Sequence, residues 1–301
     1  MSKGKKEEII CIGEVLWDSL PSGLFLGGAP LNVSLHLHNL EEQVSIVSRV
    51  GNDRLGIEAL RRISGKGLLK DLVQTDEKFE TGFVAVELDE EGTPDYLIKE
   101  PVAWDYIELS DLLLDRLKDA WGVVFGSLAQ RNKTTRNTIR KLFECNCNKV
   151  FDINLRPPYN SKQTIAESLF ATDILKINES ELHQLAEWFD LPGELEDSVR
   201  AISQKFRCPI ITVTKASNGA ILLYEDEWFS HSGYHVKVAD TVGAGDAFLS
   251  ALLVGIKSGK NGQDIIEFAN ATGAYVASQN GAIPDYDLEK IEEIYHTGVT
   301  N

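Results

Sequence analysis

Short apolar runs alternate with helical stretches through the second half of the chain, and this alternation restricts its fold more than any other feature. Neighbouring parallel strands require a crossover connection, which is usually a helix. Strands separated by helices therefore predict an α/β fold with a three-layer, doubly wound, mostly parallel sheet covered on both faces. The predicted strands are 123–125, 149–153, 173–177 and 210–213, and the predicted helices are 133–143, 162–170, 180–189 and 194–206.

A hairpin pattern interrupts the alternation in the first half. Residues 81–88 alternate between apolar and polar, 89–94 form a turn, and 95–99 continue as a strand. With the short segment 24–26, this pattern predicts a small antiparallel sheet whose half-polar strands suit a lid over a small-molecule site. The other predicted elements are strands 8–15 and 44–50, helices 31–40 and 57–63, a hairpin of 220–224 with 228–238, and helices 247–257, 265–278 and 288–295. We expect one domain over 1–301, with lid strands from about 20–27 and 80–100 inserted.

Composition restricts the class of partner and the compartment. The chain has 46 acidic and 30 basic residues, a net charge of −16, which argues against nucleic acid because phosphate-backbone binding needs clustered Lys and Arg. A nucleotide ligand remains compatible, since a metal ion and a nest of amides reverse the field locally. The N-terminus is charged, and no apolar run approaches the roughly 20 residues of a membrane span. The four cysteines lack zinc-site spacing, so we expect free thiols in a cytoplasmic protein.

Residues 239–248 combine two glycines with an acidic residue at a predicted helix start, after a strand-like run at 234–238. Gly243 and Gly245 accept backbone angles that other residues resist, and they let a ligand come close. The free N–H groups and the dipole of a helix start suit a phosphate or a developing oxyanion. Asp246 can then accept a proton from a hydroxyl. The alternative is a turn with an acidic cap, because Asp is favoured at helix starts.

A second glycine-rich stretch, Gly27-Gly28-Ala29-Pro30-Leu31-Asn32, favours the functional interpretation. Asp18 lies just past the carboxyl end of the first predicted strand, where open α/β sheets bind ligands. His36 and His38 point in different directions on a helix, so we expect surface or core histidines rather than metal ligands. Asp53 follows a glycine turn and is expected to cap a helix.

Several motifs occur in one order along the chain, and together they carry a family resemblance. They are Gly27-Gly28-Ala29-Pro30-Leu31-Asn32-Val33, Gly51-x-Asp53-x-x-Gly56, Asn178-Glu179-Ser180-Glu181 and Asp240-Thr241-Val242-Gly243-Ala244-Gly245-Asp246. Over nearly its whole length the chain resembles the ribokinase-family, or PfkB-type, carbohydrate kinases. The first motif and Phe151-Asp152-Ile153-Asn154-Leu155-Arg156 are most similar to those of the fructokinases. The resemblance implies a ribokinase-like fold and transfer of the γ-phosphate of ATP to a sugar hydroxyl.

The resemblance also implies roles for the C-terminal glycine loop. Asp246 would be the base that takes the proton from the primary hydroxyl of the sugar. Gly243, Ala244 and Gly245 would donate amides to the transferring phosphoryl group. The chain has no Gly-x-x-x-x-Gly-Lys-Ser/Thr sequence, so it is not a P-loop enzyme.

Metal and sugar ligands follow from the same resemblance. Asn178 and Glu181 lie on one helix face and would hold Mg²⁺ through its waters, because that ion dehydrates reluctantly; a surface capping pattern is the alternative. The residues that would bind the sugar hydroxyls are Asp18, Gly27, Gly28 and Asn32. Arg156 would reach the sugar or a phosphate, or form a structural ion pair.

Adenine would lie between the loop 214–219 and the helix that carries Asn270. The residues expected at the nucleotide are Thr214, Ala216, Gly219, Thr241 and Asn270. Ala216 stands where the family usually has glycine, which puts nucleotide affinity and the choice of phosphate donor in question. Many members of the family bind K⁺ beside the anion hole, and the matching positions here are Asp240, Val242 and Gly281.

Two further expectations concern the substrate and the assembly. Fructose is the first choice, giving fructose 6-phosphate, and the alternatives are ribose, 2-keto-3-deoxygluconate or a nucleoside. Trp104 and Phe25 are candidates for lining the pocket or packing the lid. Exposed lid strands that pair between two subunits would give a homodimer. A sugar-binding protein without catalysis and a Rossmann dehydrogenase are two further classes, and the latter lacks its glycine fingerprint after the first strand.

Overall fold

The computed structural model describes residues 7–20, 23–88 and 94–298. The strands are β1 (Glu8–Ile12), β2 (Leu16–Leu20), β3 (Gly23–Gly27), β4 (Val44–Gly51), β5 (Val73–Asp76), β6 (Gly82–Leu88), β7 (Pro94–Ile98), β8 (Ala120–Gly126), β9 (Asn148–Asp152), β10 (Ile174–Asn178), β11 (Ile210–Thr214), β12 (Ala220–Tyr224) and β13 (Glu227–His231). The helices are α1 (Ala29–Asn39), α2 (Arg54–Gly65), α3 (Asp111–Leu117), α4 (Lys133–Leu142), α5 (Lys162–Phe170), α6 (Glu179–Phe189), α7 (Leu195–Phe206), α8 (Ala244–Lys257), α9 (Gly262–Ala277) and α10 (Leu288–Thr297).

Nine strands form the main sheet, in the order β13-β12-β11-β10-β9-β8-β1-β4-β5. The strands from β11 to β5 pair in parallel, and β12 and β13 add an antiparallel hairpin at one edge. The predicted mostly parallel sheet is therefore confirmed. β1 pairs with β4 on one side and with β8 on the other. The chain first adds β4 and β5 on one side of β1 and later adds β8 to β13 on the other side, so the strand order reverses direction at β1. Ligands of open α/β sheets bind at such a point, outside the carboxyl ends of the strands.

Helices cover both faces of the main sheet. Successive side chains of a strand point to opposite faces, and in β1 Ile10 and Ile12 join one buried cluster whereas Ile9 and Cys11 join the other. The first cluster includes apolar residues of α3 to α7, and the second includes those of α1, α2, α8 and α9. The three-layer arrangement expected from the sequence is confirmed.

A four-stranded sheet in the order β3-β2-β6-β7 stands beside the main sheet. Its β2–β3 and β6–β7 pairs are antiparallel, and its β2–β6 pair is parallel. β3 and β6–β7 correspond to the predicted segment 24–26 and the predicted hairpin. Residues 89–93 of the expected turn lie outside the described residues.

Several predicted boundaries were wrong. The single strand expected at 8–15 ends at Ile12, because Leu16 pairs with Gly27 and Gly82 in the small sheet, which makes β2 a separate strand. The strand expected at 228–238, with its strand-like run 234–238, ends at His231. There the Tyr234 ring packs on the His231 ring and the Tyr234 hydroxyl donates to the carbonyl of Tyr295, so the chain leaves the sheet. β5 and α3 were not predicted.

Two further features of the described residues concern the cysteines and the helices. All four cysteines lie among the described residues and are free thiols. None of the helices in the described ranges combines the length and the apolar character that a membrane crossing needs. The cytoplasmic location stays a prediction.

Candidate active site

The glycine loop opens α8 as the sequence predicted. Gly243 is the N-cap residue with φ +79°, and a Cβ atom on it would lie 2.3 Å from the carbonyl oxygen of Ala282. A side chain is therefore excluded on steric and conformational grounds. No side chain of the described residues caps this helix start. The Ala244 amide donates to the carbonyl of Thr241 at 3.3 Å, so the later amides of the first turn are the ones left to a ligand.

Asp246 is the third residue of α8 and is half-buried. Its Oδ2 atom accepts a hydrogen bond of 2.9 Å from Nδ2 of Asn32, which lies in the second turn of α1. Burial, with a contribution from the Asp152 charge, raises the pKa of Asp246 to about 6, against the opposing effects of Asn32, Lys176 and Arg156. A carboxylate whose pKa approaches neutrality is a better proton acceptor than an ordinary aspartate.

Asn32 has a second polar atom in the site. Its Oδ1 atom is buried and, within the described part of the chain, has no hydrogen-bond partner. Asn32 therefore holds Asp246 with its amide nitrogen and leaves its amide oxygen to a ligand. Since an unpaired buried acceptor costs about 1–3 kcal/mol, a hydroxyl donated to Oδ1 would be strongly favoured.

Lys176 lies beneath the glycine loop, and sequence reasoning missed it. This buried lysine of β10 places Nζ 3.0 Å from both carboxylate oxygens of Asp152, at the end of β9. A Cβ atom on Gly245 would lie 3.5 Å from Nζ, so the ammonium group sits against the loop. Burial opposes its charge, but the carboxylates of Asp152, Glu181 and Asp246 outweigh burial and raise the pKa of Lys176. The sequence signal that could have identified Lys176 is a lone lysine within an otherwise apolar strand.

Asn178 and Glu181 form a reciprocal cap at the start of α6. The Asn178 side chain accepts from the Glu181 amide, and Oε2 of Glu181 accepts from the Asn178 amide, both at 2.9 Å. Oε1 of Glu181 accepts from the amide of Leu155. The capping alternative is therefore real, and it bears on the metal prediction. Because each oxygen already accepts an amide hydrogen, the pair fits an ion held through its water shell better than one ligated directly.

Burial acts on Glu181 as well. The desolvation of its carboxyl, with the nearby Asp152 charge, raises the pKa of Glu181, against the effects of Lys176 and the two amides. Across the described residues, no group of three or more His, Cys, Asp and Glu side chains could hold a metal ion directly. Asn178 and Glu181 as water-mediated Mg²⁺ ligands stay a prediction.

Gly27 packs against the Asp18 carboxyl and Gly28 packs against the backbone of Glu14. A Cβ atom on Gly27 would be 2.7 Å from Oδ2 of Asp18, and one on Gly28 would be 2.3 Å from the carbonyl oxygen of Glu14. Gly28, with φ +113°, excludes a side chain on both steric and conformational grounds, and the absence of one on Gly27 lets the Asp18 carboxyl lie against the backbone. Burial raises the pKa of Asp18, and the positive charge of Arg156 acts against that rise.

The positive charge of Arg156 acts both on the carboxyl groups near Gly27 and Gly28 and on Asp246. Arg156 is exposed, its guanidinium donates to the carbonyl of Leu155 at 3.0 Å, and its charge acts on the carboxyls of Glu14, Asp18 and Asp246. The ion-pair alternative has no partner within the distance of a salt bridge among the described residues. The structure therefore brings Asp18, Gly27, Gly28, Asn32 and Arg156 to the same side of the site as Asp246.

The predicted nucleotide loop contains a strained residue. Ala216 has φ +50°, a left-handed conformation that glycine adopts more readily than alanine. Gly219 closes the loop by accepting from the Lys215 amide at 2.7 Å, and a Cβ atom on it would lie 2.0 Å from the carbonyl of His231. Alanine at this position is therefore held in a left-handed conformation.

The other nucleotide candidates differ in exposure. Thr214 ends β11 and is half-buried, whereas Thr241 is exposed beside the glycine loop. Asn270 is buried in α9, and its Nδ2 atom donates to the carbonyl of Ile266 at 2.7 Å, within its own helix. Contact of these residues with adenine stays a prediction.

The three residues expected near K⁺ lie together. Asp240 accepts the amide of Val242 on Oδ1 at 3.0 Å and the amide of Gly281 on Oδ2 at 3.2 Å. The amides of Ala239 and Asp240 donate to the carbonyl of Ala277, which holds the loop against the end of α9. The carboxylate of Asp240 thus organises two backbone segments, and their carbonyls are the groups left to a cation.

Three other residues have structural roles. Asp53 caps α2 by accepting the Gly56 amide, and it also accepts the amide of Thr81. These amides outweigh burial and lower the pKa of Asp53. His36 is a core residue whose Nδ1 lies 2.7 Å from the Tyr286 hydroxyl. Trp104 is fully buried with Arg131 over its ring, so it packs under the small sheet and does not line an open pocket.

Comparisons with known proteins agree on the family. The model of the pfkB family carbohydrate kinases matches residues 23–289. The chain is 30% identical over 273 residues to a protein of Pyrococcus horikoshii named as a putative sugar kinase, covering 85% of this chain and 82% of that protein. It is 26% identical over 293 residues to the fructokinase of Escherichia coli, covering 90% and 94%.

Solved structures agree on the fold. The sugar kinase of Pyrococcus horikoshii in complex with ATP superposes with a TM-score of 0.81 at 28% identity, covering 96% of this chain and 98% of that one. A fructokinase of Vibrio cholerae with fructose, ADP and potassium ion bound gives a TM-score of 0.77 at 24% identity, covering 93% and 95%. The predicted ribokinase-like fold is confirmed by these likenesses. The chain belongs to the pfkB family of carbohydrate kinases.

Proposed function

We propose that this kinase transfers the γ-phosphate of ATP to a primary hydroxyl of a neutral sugar, with fructose as the first substrate and fructose 6-phosphate as its product. The hydrogen bond from Asn32 to Asp246 carries the proposal. It joins the glycine-rich stretch expected to bind sugar to the residue expected to act as base, although 214 positions separate them in sequence. A sugar held by the free Oδ1 of Asn32 would lie beside the carboxylate that removes its proton.

The proposed reaction needs one proton transfer and one displacement. Asp246 accepts the proton of the primary hydroxyl while that oxygen forms a bond to the γ-phosphorus, and the bond from phosphorus to the bridging oxygen of ADP breaks. A pKa of about 6 leaves Asp246 mostly ionised at pH 7, so the base is ready before the sugar arrives. The first-turn amides of α8 and the adjacent Lys176 ammonium would stabilise the negative charge that develops on the phosphoryl oxygens.

Local charge favours a neutral sugar over a sugar acid. The sugar side of the site has the carboxyl groups of Glu14, Asp18 and Asp246, and the charge of a single arginine, Arg156, acts on all three. A carboxylate such as that of 2-keto-3-deoxygluconate would be repelled by these acidic groups, because the positive charge of Arg156 is already shared among all three of them. Hydroxyl groups can donate to the same oxygens without that repulsion.

Two ions complete the proposal. Mg²⁺ would be held through water by Asn178 and Glu181 and would neutralise the phosphates of bound ATP. K⁺ would bind carbonyl groups of the segments that Asp240 joins at Val242 and Gly281.

A dimer would bury the exposed Leu24 and Phe25 of the edge strand β3. Sedimentation of a micromolar sample that shows only monomer would contradict the dimer.

The test is ADP release from Mg·ATP with fructose, ribose, 2-keto-3-deoxygluconate, glucose and adenosine, each matched to a reaction without sugar. Turnover on fructose above the other compounds supports the proposal. Turnover on ribose or adenosine would keep the mechanism and replace the substrate. Sugar binding without any ADP release would favour a sugar-binding protein without catalysis and overturn the proposed function.

A further inference from the structure

Glu14 is a buried carboxyl residue that the proposed reaction does not yet use. It lies in the turn between β1 and β2 and is 4% exposed. Among the described residues, its Oε2 atom is buried and has no hydrogen-bond partner. Leaving a buried polar atom unpaired costs about 1–3 kcal/mol, so sites that keep one usually pair it with something else, such as a ligand.

The position of Glu14 identifies that site. The Cγ atom of Glu14 is 3.4 Å from the position that a Cβ atom on Gly28 would occupy. The backbone N–H of Asn32 donates to the carbonyl of Gly28 at 2.9 Å. Two buried oxygens without partners, Oε2 of Glu14 and Oδ1 of Asn32, therefore belong to residues that both contact Gly28. The charges of Arg156, from the loop after β9, and of Asp246, from α8, both act on Glu14.

We propose that Glu14 is a sugar-binding residue, whose unpaired Oε2 atom hydrogen-bonds a sugar oxygen other than the one that Asp246 deprotonates. This inference rests on the proposed function, because it assumes a neutral sugar in the site. With Asn32, Glu14 would fix the sugar at two points near Gly28. The primary hydroxyl is then oriented toward Asp246. The class of ligand is a polyhydroxylated neutral sugar, since a carboxyl group next to two other acidic residues selects against anions.

The chemistry of a buried carboxyl makes the contact pH-dependent. Burial raises the pKa of Glu14 to about 7, with Arg156 and two backbone amides opposing the rise and Asp246 adding to it. Below that pH the carboxyl donates a proton to a sugar oxygen, and above it the carboxyl only accepts. Gln has the same shape as Glu and offers a donor and an acceptor at every pH. The Glu14→Gln variant therefore keeps the hydrogen bond to the sugar but removes its dependence on pH.

The experiment measures the dissociation constant of the sugar by calorimetry from pH 5.5 to 8.5, together with KM and kcat. For wild type we expect affinity to strengthen as the pH rises through about 7, because the ionised carboxylate of Glu14 accepts a stronger hydrogen bond from a sugar hydroxyl than the neutral carboxyl makes. The profile of Glu14→Gln should be flat over that step. Glu14→Ala should weaken sugar binding roughly three- to tenfold at pH 6, the size of one lost hydrogen bond. KM for ATP should not change, and the exposed Glu144→Gln should behave as wild type.

The outcomes separate this inference from the proposed function. If wild type phosphorylates a sugar and both Glu14 variants bind that sugar within twofold of wild type at every pH, Glu14 is structural and the inference is wrong. If no sugar of the panel binds to wild type, both proposals fail. If Glu14→Ala does not fold, the isosteric Glu14→Gln still decides the matter, because a pH step identical to that of wild type contradicts the inference.

Discussion

Asn32 of α1 donates its side-chain amide to Asp246 of α8 at 2.9 Å, and this bond couples two segments from opposite ends of the chain. Each of the two glycine-rich stretches opens one of the bonded helices: Gly28 is the N-cap residue of α1, which carries Asn32, and Gly243 is the N-cap residue of α8, which carries Asp246. A hydrogen bond to an ionised carboxylate favours that charged form, so Asn32 also tunes the base.

Asn32→Leu should shift the acidic limb of the pH profile of kcat/KM to higher pH. The side-chain bond of Asn32 lowers the pKa of Asp246, so its loss leaves burial and Asp152 to raise that pKa further. KM for the sugar should also rise, because the free Oδ1 atom is lost. Asn146→Leu, at an exposed position, is the control. An unchanged acidic limb would show that Asn32 does not act on Asp246.

Lys176→Met should destabilise the fold and slow turnover. The substitution leaves the buried carboxylate of Asp152 without its cation, which typically costs about 3–5 kcal/mol. The double variant Asp152→Asn with Lys176→Met removes both charges and should recover most of the unfolding free energy but not kcat. Denaturant unfolding and ADP release measure the two effects. Recovery of kcat in the double variant would mean that Lys176 has no role at the phosphoryl group.

Ala216→Gly should stabilise the nucleotide loop without weakening ATP binding. An alanine at φ +50° is strained by about 1 kcal/mol, and glycine removes that strain while adding some freedom to the unfolded chain. We expect the unfolding free energy to rise by at most about 1 kcal/mol and KM for ATP to stay equal or fall. The control is Ala166→Gly inside α5, which should destabilise by about 1 kcal/mol. A clear rise in KM for ATP would show that the alanine contacts the nucleotide.

Much of the fold was readable from the sequence, because buried strands and amphipathic helices leave periodic patterns. The strands 149–153 and 173–177 and the helix 162–170 lie within about one residue of β9, β10 and α5. The run 234–238 misled, since Tyr234 packs on the His231 ring and donates to the carbonyl of Tyr295, and Val238 is largely exposed rather than buried in a sheet. Local periodicity carries no information about which strand is available for pairing.

The site was only partly readable for a related reason. Glycine and aspartate at a helix start form a local signal, so Gly243 and Asp246 were found. Glu14 and Lys176 are marked by burial and by neighbours distant in sequence, and neither property appears in the residues next to them. Glu181 illustrates both, since its local capping role was the alternative that the sequence left open and its bond to the Leu155 amide was not expected.

Glu14→Gln should change the pH dependence of stability. Burial raises the pKa of Glu14 from 4.5 to about 7, so the folded protein binds this proton more tightly than the unfolded chain. The stabilisation is therefore complete below about pH 4.5 and is lost as the pH rises through about 7. The melting temperature of Glu14→Gln minus that of wild type should therefore increase as the pH rises across this range. Glu144→Gln is the control. A constant difference between the two melting curves would contradict the buried, titrating carboxyl.

The most direct test of the central claim is single-turnover phosphorylation of the sugar by Asp246→Asn. Removing a general base typically costs a factor of about 10²–10⁴. The account predicts a loss of that size, with the dissociation constants of sugar and ATP nearly unchanged and with the exposed Asp226→Asn as active as wild type. A rate equal to that of wild type would contradict the assignment of Asp246 as the base.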